Sequence, residues 1–475
     1  MIEVRAEQPP HWILVSIVMG MVIGAFAALV AMVPSASSAA VLAAPLLLTF
    51  LAWWTLARPH RWISAFIGTA LVLPPLPIPL GDSGPHPSLI FAALGIFAGV
   101  LYLRDWRITA VPLTRAFVCL FAVLASSVAF AALYSGPVIA AQTLARVLLF
   151  GIGMYVFFYA AYVTSGDSLP CVRPLFWAAA GSAAIACIDF YYQLPAPAGF
   201  GPQYVWLETG VFRRAQGIFY EASTLGNFCT FFLVMIAVAF TRRGKETSIS
   251  RIWLVLGAVL FSAALIFSYS RASVANLVIS LAALVWLDRS RIRWRKAIVL
   301  LTSSVALGVA ASYYFLPDLV EMSWRRLSFS AIYFFDYGEA IFSGRFESWR
   351  LLARFLAEYP WHAVFGIGYK TLPYSDYLGQ TVIADNMYLS MLVETGVIGL
   401  AALVWFNVAI LGAARRAARH PSPSASFFGT WIFCFWVGQC FQMLSSDLLT
   451  YWRVLPVYFL VLALAVRESS KAPAQ

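Results

Sequence analysis

Apolar runs long enough to cross a bilayer as a helix, which takes about 17 to 25 residues, recur from one end of this chain to the other. They lie near 12–33, 39–57, 62–80, 88–103, 114–134, 143–164 and 174–193, and then near 221–240, 252–268, 272–287, 297–315, 386–413, 426–444 and 454–466. Of 475 residues, 61% are hydrophobic and only 11% are charged, with a mean hydropathy of +0.81. Soluble globules carry about twice that share of charge. In hydrocarbon every backbone polar group must be satisfied within the protein, and a helix does this segment by segment. The expected fold is therefore an all-α polytopic integral membrane protein, one transmembrane domain over 1–475 with about fourteen spans.

Charge alternates between the connections. Arg58 and Arg61, then Arg104, Arg107 and Arg115, then Arg242, Arg243, Lys245 and Arg251, then Arg289, Arg291, Arg293, Arg295 and Lys296, then Arg415, Arg416 and Arg419 fall on one side. By the positive-inside rule these loops are cytoplasmic, which puts both termini inside. The net charge of +11 then reflects topology and attraction to anionic membrane lipids, and nucleic acid is not expected as a partner. The N-terminus lacks a cleavable signal pattern, so the first span is expected to remain as an anchor. Six cysteines show neither CxxC nor metal-ligand spacing and read as small core residues, and neither cofactor nor metal is expected.

A second group of cations runs against the topological rule: Arg213, Arg214, Arg271, Arg325, Arg326, Arg345, Arg350, Arg354, Lys370 and Arg453 fall on the opposite face. Two outer segments there are long, at 193–221 and at 316–385. Loops of the second length are usually functional. Within it, 344–359 has helical spacing, with Phe346, Trp349, Leu352, Ala353 and Leu356 on one side and Arg350, Arg354 and Glu358 on another. That pattern predicts an amphipathic helix on the membrane surface, ended by Pro360. No nucleotide-binding glycine loop is apparent, so chemistry on this face must use a substrate that carries its own energy.

Each charge has a plain alternative. Arg213 and Arg214 either snorkel to headgroups or bind a ligand next to the flexible Gly217. Arg271 is either an interfacial anchor or an anion donor held by the tight turn between two spans. Asp385 and Asn386 are ordinary helix N-caps or, for Asp385, a base at the mouth of a bundle. Glu394 lies deeper, where a carboxylate normally faces a cavity or a basic partner. Arg146 with Asp189, and Asp447 with Arg453, read as local ion pairs, and His86 and His362 as isolated loop histidines. Arginine outnumbers carboxylate on this side, and its planar fork suits a diphosphate.

The runs SRASVANLVIS from Ser270, SGRFESWRLLARFLAEYPWHAVFGIGY from Ser343 and DNMYLSMLVETGVIGL from Asp385 resemble the O-antigen ligase and Wzy-type polysaccharide polymerase superfamily. The resemblance covers 270–400 and includes Arg271, Arg345, Trp349, Pro360, Gly366, Gly368, Asn386, Tyr388, Leu389, Glu394, Gly396 and Gly399; RRAQGIFYEASTLGNF upstream is similar to the family's arginine-plus-glycine loop. It implies a metal-independent GT-C-type membrane glycosyltransferase in the bacterial inner membrane, with its site facing the periplasm. The implied partners are an undecaprenyl-diphosphate-linked oligosaccharide donor, a glycan or lipid A-core acceptor, and other proteins of polysaccharide assembly.

By that resemblance Arg213, Arg214, Arg271, Arg345 and Arg350 hold the diphosphate. Asp385, Glu221 and Glu394 are the candidate catalytic carboxylates, and Asn386, Tyr388, Gly366 and Gly368 support them. Asp385 stands where the family has histidine. This departure favours polymerisation of O-antigen or exopolysaccharide repeat units over ligation to lipid A-core; an anionic-solute transporter is the alternative of another class.

Overall fold

The computed structural model describes residues 47–76, 85–163, 172–195, 201–207, 210–242, 248–289 and 345–470, with a few isolated positions outside these stretches. The apolar runs near 12–33 and 297–315, the 316–344 part of the large outer segment, and Arg325 and Arg326 lie outside them.

Helices α1 (Leu47–Leu56), α2 (Arg61–Val72), α3 (Ser88–Leu101), α4 (Pro112–Ser135), α5 (Pro137–Tyr162) and α6 (Val172–Tyr192) form the first half. The second half holds α7 (Ala222–Thr241), α8 (Arg251–Phe267), α9 (Arg271–Leu287), α10 (Arg345–Glu358), α11 (Pro360–Phe365), α12 (Met387–Ala418), α13 (Pro423–Gln442) and α14 (Leu455–Ser470). Apart from α10 and α11, each coincides with an apolar run. Five of the described helices, α4, α5, α6, α7 and α12, are long and apolar enough to cross a membrane, and the chain is a helical membrane protein. Prolines at the first turn of α4, α5 and α13 start those helices without losing a hydrogen bond.

One departure from an all-α fold lies in 193–221: β1 (Tyr204–Leu207) and β2 (Gly210–Arg213) pair antiparallel, with Tyr204 opposite Arg213. Tyr204 and Val211 stay exposed and the pair has no third strand among the described residues, so it is a local hairpin that delivers Arg213 and Arg214 to the bundle.

Helices α7, α13 and α14 occupy the centre. Leu455 to Ala465 is buried on every side, as expected of a helix apolar all round. Rings interlock here: Phe231 with Trp431, Phe435 and Tyr458, and Phe117 with Phe406 and Phe459. A buried polar seam crosses the same helices. Gln442 Oε1 accepts from the side-chain amides of Asn227 on α7 and Asn276 on α9, each at 2.8 Å, and the Tyr458 hydroxyl donates to Asn227 at 2.6 Å. Such bonds bind helices where lipid offers no hydrophobic drive to associate.

Two buried arginines pin the ends. At one end the Arg242 guanidinium holds Asp288 at 2.9 Å and also donates to the carbonyls of Ala418 and Ser426, joining the termini of α7, α9, α12 and α13. At the other, Arg453 donates to the carbonyls of Ala70, Leu73 and Ile218. Arg453 therefore does not pair with Asp447 as its nearness in sequence suggested; carbonyls at the end of α2 and in the turn before α7 take its described hydrogen bonds.

Helix α10 differs from expectation in what its apolar side meets. Leu352 and Phe355 are buried with Ile367, Leu372, Val382, Ala384 and Val393 in a small satellite core, because 366–384 folds back over the helix and covers the face expected to meet lipid.

The Arg242–Asp288 pair yields a stability prediction. Arg242→Leu strands a buried carboxylate and is expected to cost about 3–5 kcal/mol, whereas Arg242→Leu combined with Asp288→Leu recovers much of it. Thermal unfolding of the purified protein in nanodiscs measures both, and equal melting temperatures for the single and double variants would contradict the assignment.

Candidate active site

The site is built where two glycine motifs interlock. Helix α12 is broken at Gly396, whose φ of +72° and ψ of −175° are not helical. Into that break runs the turn after α11, with Gly366 at φ +75°. A Cβ on Gly366 would lie 2.3 Å from the Glu394 carbonyl, and one on Gly396 would lie 2.0 Å from the Val364 carbonyl oxygen. Only paired glycines let these two backbones touch. Ile367 N–H then donates to Val393 and Gly368 N–H to the Glu394 carbonyl at 2.8 Å, and Gly368 packs against the Ala131 backbone of α4. The loop is thereby stitched into the opened helix, and Lys370 follows directly.

Three arginines converge from separate segments. Arg214 gives its Nε–H to the Ser268 carbonyl at 2.9 Å, fixing it to the turn between α8 and α9. Arg271 opens α9 just beyond that turn, after the Ser270 cap. Arg345 opens α10 and gives its Nε–H to Asp385 at 3.1 Å. Arg271 and Arg345 both lie within electrostatic reach of Arg214, and burial together with these two like charges works against its protonated form, while Tyr451 and Glu221 support it. Arg214 and Arg345 each commit the Nε edge, so the Nη groups are the part able to reach an oxyanion. Arg350 is exposed farther along α10.

The carboxylates have separate surroundings. Asp385 is about half exposed, at 46%, and faces Arg345; Trp349, four residues on from Arg345, donates to the Ala384 carbonyl at 2.7 Å. One face of α10 thus grips both residues ahead of α12. The cap of α12 is Asn386, whose side chain accepts from the N–H groups of Tyr388 and Leu389, which leaves Asp385 with φ +46° outside the helix. Glu221 sits at the start of α7 and accepts from the Ser223 hydroxyl at 2.9 Å. Burial raises its proton affinity above the ordinary carboxylate value, against the pull of Ser223 and Lys370. Glu394 is buried and accepts from Leu372 N–H at 3.3 Å.

Two expected ion pairs are replaced by others. Asp189 bonds Arg213 at 3.1 Å and takes the N–H groups of Gln216 and Gly217. It does not pair with Arg146, which lies over the Tyr374 ring. Arg213 is held in that structural tie, one residue away from the arginines that converge. Asp447 pairs with Lys370 at 2.5 Å, both side chains 13% exposed, instead of with Arg453. Tyr388 donates to the Cys440 carbonyl and ties α12 to α13.

Lys370, Asp447 and Tyr451 belong to this cluster by position, although the motifs did not single them out. The signal for Lys370 was its place two residues after Gly368; that for Asp447 was a carboxylate in a loop whose counter-ion lay far away in sequence. Among the described residues, five non-glycine positions have positive φ, and Tyr269, Lys370 and Asp385 are three of them. Such backbones collect where a site overrules local preference. No group of three or more His, Cys, Asp or Glu is placed to hold a metal ion among the described residues.

Residues 256–404 match the family model described as O-antigen ligase. The stretch runs from α8 into α12 and contains Arg271, Arg345, Asp385 and Glu394, so the similarity to the O-antigen ligase family lies over the segment that carries most of the candidate site. No curated protein matches the chain.

The interlock is expected to tolerate no side chain. Gly396→Ala carries about 1–3 kcal/mol of backbone strain and a steric conflict besides, and is expected to lower the melting temperature markedly. Gly412→Ala, at an open site later in the same helix, leaves it unchanged or raises it; comparable losses in both would contradict the interlock.

Proposed function

We propose that the chain is a membrane glycosyltransferase that takes a glycan from an undecaprenyl-diphosphate-linked donor and joins repeat units of an O-antigen or exopolysaccharide. The observation that carries this reading is that Arg214 is fixed to the turn from which Arg271 opens α9, within electrostatic reach of Arg271 and Arg345, in a helical membrane protein whose residues 256–404 match the O-antigen ligase family. A membrane-embedded enzyme without a nucleotide-binding motif needs an activated lipid-linked sugar, and diphosphate is the leaving group that planar guanidinium forks recognise best.

In this reading the three guanidiniums hold the diphosphate and stabilise the charge that grows on it as the glycosidic bond breaks. A carboxylate among Asp385, Glu221 and Glu394 takes the acceptor's proton, and no metal is required. The site faces the periplasm from the inner membrane, with both termini cytoplasmic, in a GT-C-type arrangement of about fourteen spans. Polymerisation is favoured over ligation to lipid A-core because Asp385 replaces the histidine that the resemblance leads one to expect.

Reconstitution tests this reading. Purified protein in nanodiscs with the lipid-linked repeat unit alone is expected to form a ladder of products. Transfer only on addition of lipid A-core would make the protein a ligase, and no transfer under either condition would overturn the reading. Arg271→Ala and Arg345→Ala are each expected to lower transfer by about 10²-fold or more, the range seen when one charge-stabilising donor is removed. Arg415→Ala, whose guanidinium lies over Trp286 at the other end of α9, is expected to keep it.

A further inference from the structure

Among the charges around the arginines, one cation faces several carboxylates. Lys370 leaves the glycine interlock with φ +58°, a left-handed conformation that costs a lysine energy and is kept because the loop on both sides is fixed. Its ammonium pairs with Asp447, which the loop between α13 and α14 supplies and whose other oxygen caps Leu449. Glu221 from α7 and Glu394 from α12 also act on it. Burial alone would strip its proton, but Asp447 and Glu394 reverse that and hold the ammonium above its ordinary value. The groups that face Glu221 are Ser223 on its own helix, Arg214 from the hairpin side, Lys370 from the interlock, Asp385 ahead of α12, and Asp447 and Tyr451 from the loop before α14.

We propose that the Lys370–Asp447 pair positions Glu221 as the base of the transfer, with Lys370 the positioning residue and Glu221 the group that takes the acceptor's proton. The inference rests on the glycosyltransferase reading and assigns a role that reading leaves among three carboxylates. Asp385 is already given to the Nε–H of Arg345, outside the helix that Asn386 caps. Glu394 lies at the break of α12 and is built into the interlock, its backbone carbonyl taking Gly368 N–H and its side chain Leu372 N–H. Glu221 accepts only a hydroxyl bond from Ser223 among its described hydrogen bonds and lies within electrostatic reach of Arg214. In the step itself, the acceptor O–H bond breaks and its proton passes to a Glu221 oxygen. The acceptor oxygen bonds the anomeric carbon, and the bond from that carbon to the diphosphate breaks with its electron pair leaving on the phosphate oxygen. One ammonium serves Glu221 and Asp447 together, so removing either member of the pair changes the charge on Glu221 in opposite directions.

The test is the pH dependence of transfer by the full chain in nanodiscs with the lipid-linked repeat unit. A carboxylate base works above its own pKa, so the rate falls as pH drops through that value. Lys370→Met removes the cation and is expected to move the acid limb to higher pH by about one unit, while Lys370→Arg keeps it near the parent. Asp447→Asn keeps the Leu449 cap, removes an anion and frees Lys370 for Glu221, so the limb is expected to move to lower pH. Opposite shifts support the proposal. Shifts of the same sign, or a loss of rate with no shift in any variant that retains the parental melting temperature, overturn it; if Lys370→Met does not fold, a limb unmoved or raised in Asp447→Asn overturns it alone. A parent without transfer defeats the glycosyltransferase reading instead, which keeps the two failures apart.

Discussion

A charge carried into an apolar bundle persists only where another charge or a carbonyl satisfies it, and that demand organises this molecule. Arg242 is answered by Asp288 and two helix-end carbonyls, Arg453 by three carbonyls, and Arg213 by Asp189. These are ties: each joins the ends of elements that are separate in sequence. Arg214 and Arg345 are handled differently. Each spends its Nε on a fixed partner, Ser268 or Asp385, which locks the plane of the fork while its terminal nitrogens stay able to meet an anion. A guanidinium held along one edge is preorganised for a ligand in a way that a solvated one is not.

The glycines give the site its shape. Opening α12 at Gly396 exposes backbone groups that lipid could not satisfy, and the turn at Gly366 satisfies them by threading its own N–H groups onto the carbonyls of Val393 and Glu394. The consequence reaches past packing. The same thread carries Lys370 to the cluster and sets Glu394 against Leu372, so the interlock and the charge arrangement are one construction.

Much of the bundle was legible because apolar length is a local property, and 112–135, 222–241 and 271–287 lie within a residue or two of the runs that announced them. The arginines were legible as a group since topology gave each a reason to be elsewhere. Individual pairings were not legible. Asp189 was matched to Arg146 because both were expected near the outer surface, and Asp447 to its near neighbour Arg453, whereas their partners are Arg213 and Lys370, brought in by a hairpin and by the interlock. The same blindness applied to α10: its apolar stripe was plain, but the stretch 366–384 that covers it has no periodicity to betray it. The N-cap was ambiguous between Asp385 and Asn386 in sequence, and the left-handed backbone at Asp385 resolves it in favour of Asn386.

The central claim is that Arg214, Arg271 and Arg345 form one diphosphate site. It is tested most directly by an experimental structure of the protein in nanodiscs with a lipid-linked diphosphate donor bound. The account predicts phosphate density bridging the terminal nitrogens of these three arginines, with the first sugar turned toward Glu221. Density lodged elsewhere, or the three guanidiniums parted by intervening protein, would contradict it.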